Sequence, residues 1–239
     1  MSTPSHQVQF DERVPLTSSA AACGPFFEAR HVALMQQLAD EIPRAAASLT
    51  SSPEGAARAM GELSLYRHLV PEREGADPEV RALVAVREAL AQVSPMADSI
   101  FAVQGLGSYP IAAFGSAQQR DTLLPEVVRG SRIGAFALTE PEAGTDVASL
   151  TTRATRDGSS WLLDGDKTLI SNVGIAHHYV VFATVDPAAG RKGITAFLVA
   201  SDAKGLEQVP LALSSPHPLG GLRLRACRVA DSDRVGELG

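Results

Sequence analysis

The sequence predicts an α+β protein with two consecutive domains: an all-α domain over roughly residues 1–130 and an antiparallel β-barrel or sandwich over roughly residues 131–239. Three observations support this prediction. Apolar residues in the first half follow the period of a helix, and short β-rich runs recur about every eight to twelve residues in the second half. No low-complexity linker and no internal repeat separates the two halves.

The first helix is marked by an apolar stripe on one face, which requires a partner helix. Three further helices are expected over about residues 54–68, 77–93 and 95–114, separated by Pro or Gly. A last helix, 117–128, follows Ser116, whose hydroxyl can cap its first amide groups, and ends before Gly130. The stripe of the first helix consists of Phe27, Leu34, Met35, Leu38, Ile42 and Ala45.

The second half contains six runs rich in β-branched and aromatic residues. Asp157-Gly158 and Asp164-Gly165 lie between such runs, and Asp-Gly provides the positive φ of a tight hairpin. We therefore expect a hairpin turn at both places. The predicted strands span residues 134–138, 151–155, 161–164, 179–185, 194–199 and 222–229.

Composition restricts the class of protein. The chain has 239 residues, of which 45% are hydrophobic and 20% charged, so it can bury a core and is not disordered. A net charge of −6 without a Lys/Arg stripe argues against nucleic-acid binding. No leader-like or bilayer-length apolar run is seen, so a cytoplasmic protein without a membrane span is expected. Cys23 and Cys227 form no CxxC motif and are expected to be unreactive thiols.

Two polar segments are candidates for a binding site. Residues 137–146, Ala-Leu-Thr-Glu-Pro-Glu-Ala-Gly-Thr-Asp, follow the first predicted strand. Pro141 restricts φ there, Gly144 permits close approach of a ligand, and Thr139 and Thr145 carry hydroxyl donors. Residues 165–172 again place a hydroxyl beside apolar side chains. On spacing alone, a purely structural turn remains the favoured interpretation of the first segment.

The order of several motifs favours a functional interpretation. Residues 136–141 followed by 143–146 resemble the Thr-Glu-Pro-x-Ala-Gly-Ser-Asp signature of the acyl-CoA dehydrogenase family. The Gly-x-Lys-x-x-Ile-Ser-Asn run at 165–172 resembles its second signature. Residues 115–130 and 193–199 resemble a helix and a later strand of the same family. The resemblance extends from about residue 95 to the end, and more loosely back to about residue 25.

The resemblance implies that both domains enclose the isoalloxazine ring of FAD. Gly144 and Thr145 match positions that contact the substrate, with Thr in place of the usual Ser. Glu140 and Asp146 belong to the motif's turn, so no catalytic residue and no metal ligand is assigned within the chain. The residues that match flavin-contacting positions are Phe136, Leu138, Thr139, Leu169, Ile170 and Ser171.

The activity implied is FAD-dependent α,β-dehydrogenation of an acyl thioester, attached to CoA or to an acyl carrier protein. An electron-accepting flavoprotein or oxygen would take the electrons, and a homo- or hetero-oligomer is expected. In most members of the family, the carboxylate that removes the α proton lies on a C-terminal four-helix domain that this sequence lacks. We therefore expect a partial chain or a split subunit. Two alternatives remain open: a non-catalytic flavin- or acyl-binding subunit, and a flavin monooxygenase on the same fold.

Other patterns have simpler explanations. Gly105-Leu106-Gly107 lacks the third glycine of a dinucleotide-binding loop and lies in a predicted helix. His177-His178 would point to opposite faces of a strand and cannot bind one metal together. The positive charges within residues 153–156 are expected to be solvated, with contact to CoA phosphates as the alternative. Trp161 is expected to anchor the core in preference to stacking on a flavin.

Overall fold

The computed structural model describes residues 24–71 and 77–239. Helices occupy the described chain up to Val128, and strands follow from Gly134. No helix in these two ranges has the length and apolarity that crossing a membrane requires. The first 23 residues, which include Cys23, lie outside the described ranges. The helices are α1 (Ala29–Arg44), α2 (Ala46–Leu49), α3 (Pro53–Glu62), α4 (Val80–Val93), α5 (Pro95–Phe114) and α6 (Ala117–Val128).

Local capping signals explain where the helices begin. The hydroxyls of Ser52, Ser94 and Ser116 each accept a hydrogen bond from a backbone N–H in the first turn of α3, α5 and α6. At Ser116 the side chain of Gln119 bonds back to the Ser116 amide, which completes a capping box. Gly130 follows α6 with φ +70°. The prediction for this last helix is confirmed.

Two predicted helices differ in extent from the observed ones. The stretch predicted over residues 54–68 is divided, because Ser64 adopts a left-handed φ of +58° between α3 and a 3-10 turn at Leu65–His68. The helix predicted from residue 77 begins at Val80, where the Glu79 carboxylate accepts from the Ala82 amide. Both boundaries depend on side-chain and backbone geometry that hydrophobic periodicity does not report.

The strands form one eight-stranded sheet in the order β6-β7-β3-β2-β4-β5-β8, with β1 paired to β4. Most pairs are antiparallel, as predicted, but β1 and β2 each pair with β4 in parallel. The short strand β8 and the strand β6 were not predicted. The strands are β1 (Gly134–Ala137), β2 (Arg153–Asp157), β3 (Ser160–Ser171), β4 (His178–Thr184), β5 (Ile194–Ala200), β6 (Leu206–Leu211), β7 (Leu219–Ala230) and β8 (Arg234–Val235).

The two Asp-Gly pairs have different roles. Asp157-Gly158 turns β2 into β3, as predicted, with Gly158 at φ +60°. The hairpin predicted at Asp164-Gly165 is wrong, because both residues lie inside the long strand β3. Gly165 has φ +155°, and a Cβ atom there would lie 2.4 Å from the Thr152 hydroxyl. Glycine therefore permits close packing at this position and forms no turn.

Each half has its own core. In the helical half, Tyr66 stacks on Phe101 with ring centroids 5.9 Å apart. In the sheet, Trp161 packs on Phe197 and donates its indole N–H to Asp231 at 2.7 Å, as expected of a core anchor. Cys227 is buried there, and burial raises the pKa of its thiol to about 11, which agrees with an unreactive thiol.

Helix α5 connects the two halves. The side chain of Gln104 donates to the Arg132 carbonyl at 2.6 Å and accepts from the Gly134 amide at 2.8 Å, so it holds the start of β1. Gly107 lies inside α5, and a Cβ atom there would be 2.8 Å from the Ala135 nitrogen. This glycine allows the helix to contact β1 directly and explains the Gly-Leu-Gly run.

Candidate active site

The two polar segments predicted from the sequence lie side by side. The Thr168 amide donates to the Thr139 carbonyl at 3.0 Å, which joins β3 to the chain just after β1. The Lys167 ammonium donates to the Leu138 carbonyl, also at 3.0 Å. The structure therefore brings the end of β1 and the last third of β3 into one surface.

A buried ion pair supports this surface. Lys167 Nζ lies 2.8 Å from Glu140 Oε1, with side chains 0% and 1% exposed. Glu140 also accepts from the Thr151 amide and hydroxyl, at 2.7 and 2.6 Å, and from the Thr152 amide at 2.9 Å. Four hydrogen bonds satisfy the carboxylate, so it fixes the loop between β1 and β2.

The pKa values of both members of this pair are strongly shifted. Burial alone would raise the pKa of Glu140, but hydrogen bonds from Lys167, Thr151 and Thr152 outweigh it and lower the pKa to about 2. Burial lowers the pKa of Lys167 to about 8, against the opposing effect of Glu140. At neutral pH Glu140 is therefore an ionised carboxylate without free lone pairs directed to a substrate, a structural role that agrees with its assignment to the turn.

The residues at the end of β1 present a partly exposed edge. Phe136 is half-buried and packs on Phe182, with ring centroids 4.8 Å apart. Leu138 and Thr139 are also half-buried. The Thr139 hydroxyl makes no hydrogen bond to any other described residue. It is therefore an available donor on a wall whose backbone is already held by Lys167 and Thr168.

A β-bulge lies in the second signature segment, near the end of β3. Lys167 pairs with Leu222 and Ile170 pairs with Gly220, so β3 carries one extra residue at this point. Leu169 lies in the bulge with φ +55° and is 61% exposed, whereas Ile170 is 2% exposed and belongs to the sheet core. Of these two predicted flavin contacts, only Leu169 presents its side chain outward.

Ser171, the last predicted flavin contact, is bonded to a residue that sequence reasoning missed. Its hydroxyl lies 3.0 Å from Nε2 of His217, whose Nδ1 lies 2.5 Å from the Ser99 hydroxyl on α5. His217 was overlooked because it lies outside the motifs that carry the family resemblance. The flanking Pro216 and Pro218, which restrict the backbone on both sides, were the available signal.

The predicted substrate-binding residues lie on the loop that follows Glu140. Glu140 and Ala143 exchange backbone hydrogen bonds, and Asp146 caps the 3-10 turn Val147–Ser149 through its carboxylate. Between them Gly144 and Thr145 are exposed, and a Cβ atom on Gly144 would meet nothing within 4 Å. The loop therefore has an open face on which these two residues are accessible.

The remaining charged candidates have structural partners. His177 is exposed and accepts from the Ile133 amide at 3.0 Å, while His178 is buried, with its pKa lowered by burial to about 4. Arg156 donates to Asp231 at 2.7 Å and lies over the Trp161 ring. These contacts hold the histidines at the start of β1 and Arg156 at the start of β3, away from the surface formed by the end of β1 and the last third of β3.

Comparison with known families agrees with this geometry. The N-terminal domain of acyl-CoA dehydrogenase matches residues 31–131, and the middle domain of acyl-CoA dehydrogenase matches residues 135–226. These two regions cover most of the sequence, with the helices in one and the strands β1–β6 and most of β7 in the other. The chain belongs to the acyl-CoA dehydrogenase family.

Among the relatives, an acyl-CoA dehydrogenase of Bacillus subtilis is 36% identical over 61% of this chain and 39% of its own length. The probable acyl-CoA dehydrogenase fadE25 of Mycobacterium leprae is 35% identical over 78% of this chain and 49% of its own. The mouse mitochondrial short-chain specific acyl-CoA dehydrogenase is 34% identical, with 78% and 47% covered. The chain thus spans about half the length of the mycobacterial and mouse relatives, and 39% of the length of the Bacillus subtilis relative.

Solved structures share the fold. A glutaryl-coenzyme A dehydrogenase in complex with glutaryl-CoA superposes with a TM-score of 0.73 at 27% identity, covering 89% of this chain and 58% of that one. The prolyl acyl carrier protein oxidase AnaB gives 0.73 at 27% identity, with 89% and 60% covered. A structure of the electron transferring flavoprotein of Acidaminococcus fermentans gives 0.79 at 25% identity, with 89% and 59% covered.

Proposed function

We propose that this chain provides the flavin- and thioester-binding walls of an FAD-dependent enzyme that dehydrogenates an acyl thioester between its α and β carbons. The observation that carries the proposal is the direct contact of the two family signatures, made by Thr168 on Thr139 and by Lys167 on Leu138. Family membership supports FAD as the cofactor. The glutaryl-CoA complex and the acyl carrier protein oxidase among its structural neighbours support a thioester on CoA or on a carrier protein.

The residues present fit a flavin ring. Thr139 offers an unpartnered hydroxyl, Ser171 a second hydroxyl, and Leu169 an exposed apolar side chain in a bulge between them in sequence. A flavin needs apolar cover for its ring and hydrogen-bond donors at its polar edge. Bound FAD would supply a two-electron acceptor for the hydride that leaves the β carbon.

The protein's own contribution is positioning. The Lys167–Glu140 pair holds the backbone at Leu138 and at the start of the next loop, so Thr139 is presented from a fixed main chain. Gly144 and Thr145 lie further along that same loop, where the open space at Gly144 admits a ligand and the Thr145 hydroxyl can donate to it. These two residues would hold the thioester portion.

The α proton must be taken by a carboxylate that this surface does not provide. Glu140 is the acidic residue at its centre, but it is buried and already accepts four hydrogen bonds, so it cannot approach a substrate carbon. The proposal therefore requires a base from a further segment or a second chain. An electron-accepting flavoprotein or oxygen would reoxidise the flavin, and an oligomer would bring the base into place.

The test is FAD and substrate binding followed by turnover. The purified chain is titrated with FAD, and flavin absorbance and fluorescence are recorded with and without an acyl-CoA under anaerobic conditions. For the chain by itself we expect FAD binding with slow or absent bleaching, and for the chain with a co-expressed partner that supplies a base we expect bleaching and an enoyl product. Absence of FAD binding under both conditions would contradict the proposal, and oxygen consumption without an enoyl product would favour a monooxygenase.

A further inference from the structure

We propose that His217 is a positioning residue, which holds the Ser171 hydroxyl so that its hydrogen is free to donate to the flavin. This inference rests on the proposed function, since it assigns a partner to a hydroxyl on the flavin-facing surface. It concerns the cluster Ser99–His217–Ser171, which joins α5, the segment after β6 and the end of β3.

The imidazole is fixed from both sides. Nδ1 lies 2.5 Å from the Ser99 hydroxyl and Nε2 lies 3.0 Å from the Ser171 hydroxyl. The backbone is also held, because the His217 amide donates to the Ser215 carbonyl at 2.8 Å and the Pro218 carbonyl accepts from the Asn172 amide at 2.8 Å. The ring therefore has one orientation. The loop that carries it is bonded to Asn172, the residue next to Ser171.

The protonation state of the ring decides what Ser171 can do. Burial lowers the pKa of His217 below its ordinary value, so the imidazole is neutral near pH 7 and carries one N–H and one acceptor nitrogen. The ring can therefore accept a hydrogen bond from one of the two serines and donate one to the other. The positioning role requires the Ser99 O–H to donate to Nδ1 and the Nε2–H to donate to Ser171.

This arrangement leaves the Ser171 hydrogen without a partner inside the cluster. A hydroxyl that accepts from Nε2–H points its own hydrogen elsewhere, and it is then a preoriented donor. In the opposite tautomer, the Ser171 hydroxyl would donate its hydrogen to the imidazole and could only accept a hydrogen bond from the flavin. His217 thus sets the direction of the hydrogen bond that Ser171 can form.

Two substitutions separate positioning from a merely structural link between the loop and α5. In His217→Gln the amide NH2 can still reach Ser171, because a Gln nitrogen lies near the place of Nε2. In His217→Asn the side chain reaches only the Nδ1 position, so the contact with Ser99 is kept and the donor to Ser171 is lost. Ser99→Ala removes the partner of Nδ1 but keeps the imidazole beside Ser171, and Ser215→Ala is an exposed control in the same loop.

The experiment is an FAD titration of the full chain and its variants by fluorescence, with the reduction potential of bound flavin as a second readout. We expect FAD affinity to fall about three- to tenfold in His217→Asn and in Ser171→Ala, and less than about twofold in His217→Gln and Ser215→Ala. The potential should decrease in the first two variants only, because they lose a donor to the reduced ring. An equal loss in His217→Gln and His217→Asn would overturn the positioning role.

A measurement without flavin keeps this inference distinct from the proposed function. ¹⁵N NMR of histidine-labelled protein, with the His217 signal identified by its absence in His217→Asn, should show the Nε2–H tautomer in the flavin-free chain. An Nδ1–H tautomer would overturn the inference even if FAD binds. Failure of every form to bind FAD would instead contradict the proposed function, while leaving the tautomer assignment testable.

Discussion

Lys167 and Glu140 form an ion pair, 2.8 Å from nitrogen to oxygen, that is almost completely removed from solvent. The pair joins β3 to the loop after β1, and Lys167 also bonds the Leu138 carbonyl. A buried pair gains little over apolar packing, but the loss of one partner leaves an uncompensated charge. Its main effect is thus to specify how the two signature segments meet.

We expect Lys167→Met to destabilise the protein by about 3–5 kcal/mol, because the Glu140 charge then remains buried without its cation. The double variant Lys167→Met/Glu140→Gln, which removes both charges, should recover much of this loss. Chemical denaturation measures both free energies of unfolding. The matched control is Arg223→Met, which breaks an exposed pair with Glu207 and should cost less than about 1 kcal/mol. Similar costs for Lys167→Met and Arg223→Met would contradict the role assigned to the buried pair.

The same pair predicts an acid-dependent loss of stability. Because the pKa of Glu140 is lowered from 4.5 to about 2 in the folded protein, the unfolded state binds more protons between these values. The stabilising contribution of the ionised Glu140 carboxylate is complete above about pH 4.5 and is lost as the pH falls towards 2. Denaturation curves between pH 6 and pH 3 should show a steeper decline for the wild type than for Lys167→Met/Glu140→Gln. Parallel declines would show that Glu140 titrates normally, and Glu207→Gln is the exposed control.

Much of the fold follows from local signals. Helix α6 could be predicted because Ser116, Gln119 and Gly130 all specify the same ends. The hairpin at Gly158 was predictable for the same reason. Gly165 was misinterpreted because the residue that requires a glycine there, Thr152, approaches from an earlier segment of the chain. Contacts of this kind are set by the folded sheet and leave no local pattern.

The candidate site shows the same division. The family motifs predicted Thr139 and Ser171 as candidate flavin contacts, and the structure places their segments side by side. The partners that hold them were not predictable from spacing, because Lys167 and Glu140 are 27 positions apart and Ser99 and His217 are 118 positions apart. Sequence patterns therefore indicated which hydroxyls are offered, while the supporting bonds required the tertiary structure.

Gly107→Ala tests the contact between α5 and β1. The added methyl group would lie 2.8 Å from both the Ala135 nitrogen and the Gly134 carbonyl carbon, which are backbone atoms and cannot rotate away. Alanine gains up to about 1 kcal/mol in helix propensity, but overpacking costs about 1–3 kcal/mol, so we expect net destabilisation. Thermal unfolding measures the change. Gly24→Ala, with no atom within 4 Å of its added methyl group, is the control, and an equal melting temperature for Gly107→Ala and the wild type would refute the close contact.

Thr139→Val tests the hydroxyl that we propose as a donor to the flavin. Valine keeps the shape of the side chain but removes the donor, so the fold should be unchanged and FAD affinity should fall about three- to tenfold. A fluorescence titration with FAD measures the effect. Thr155→Val on the exposed face of β2 is the control, and we expect it to bind FAD as the wild type does. If Thr139→Val also leaves the affinity unchanged, Thr139 does not contact the flavin.

Thr145→Val separates the proposed thioester site from the proposed flavin site. Thr145 is exposed and its hydroxyl makes no hydrogen bond to another described residue, so the substitution should change the free energy of unfolding by less than about 0.5 kcal/mol. FAD affinity should also be preserved, because Thr139 and Ser171 are untouched. Binding of an acyl-CoA to the FAD-loaded chain, measured by calorimetry, should weaken about threefold or more through loss of one donor. Weakened FAD binding with unchanged acyl-CoA binding would reverse the assignment and place Thr145 on the flavin side of the loop.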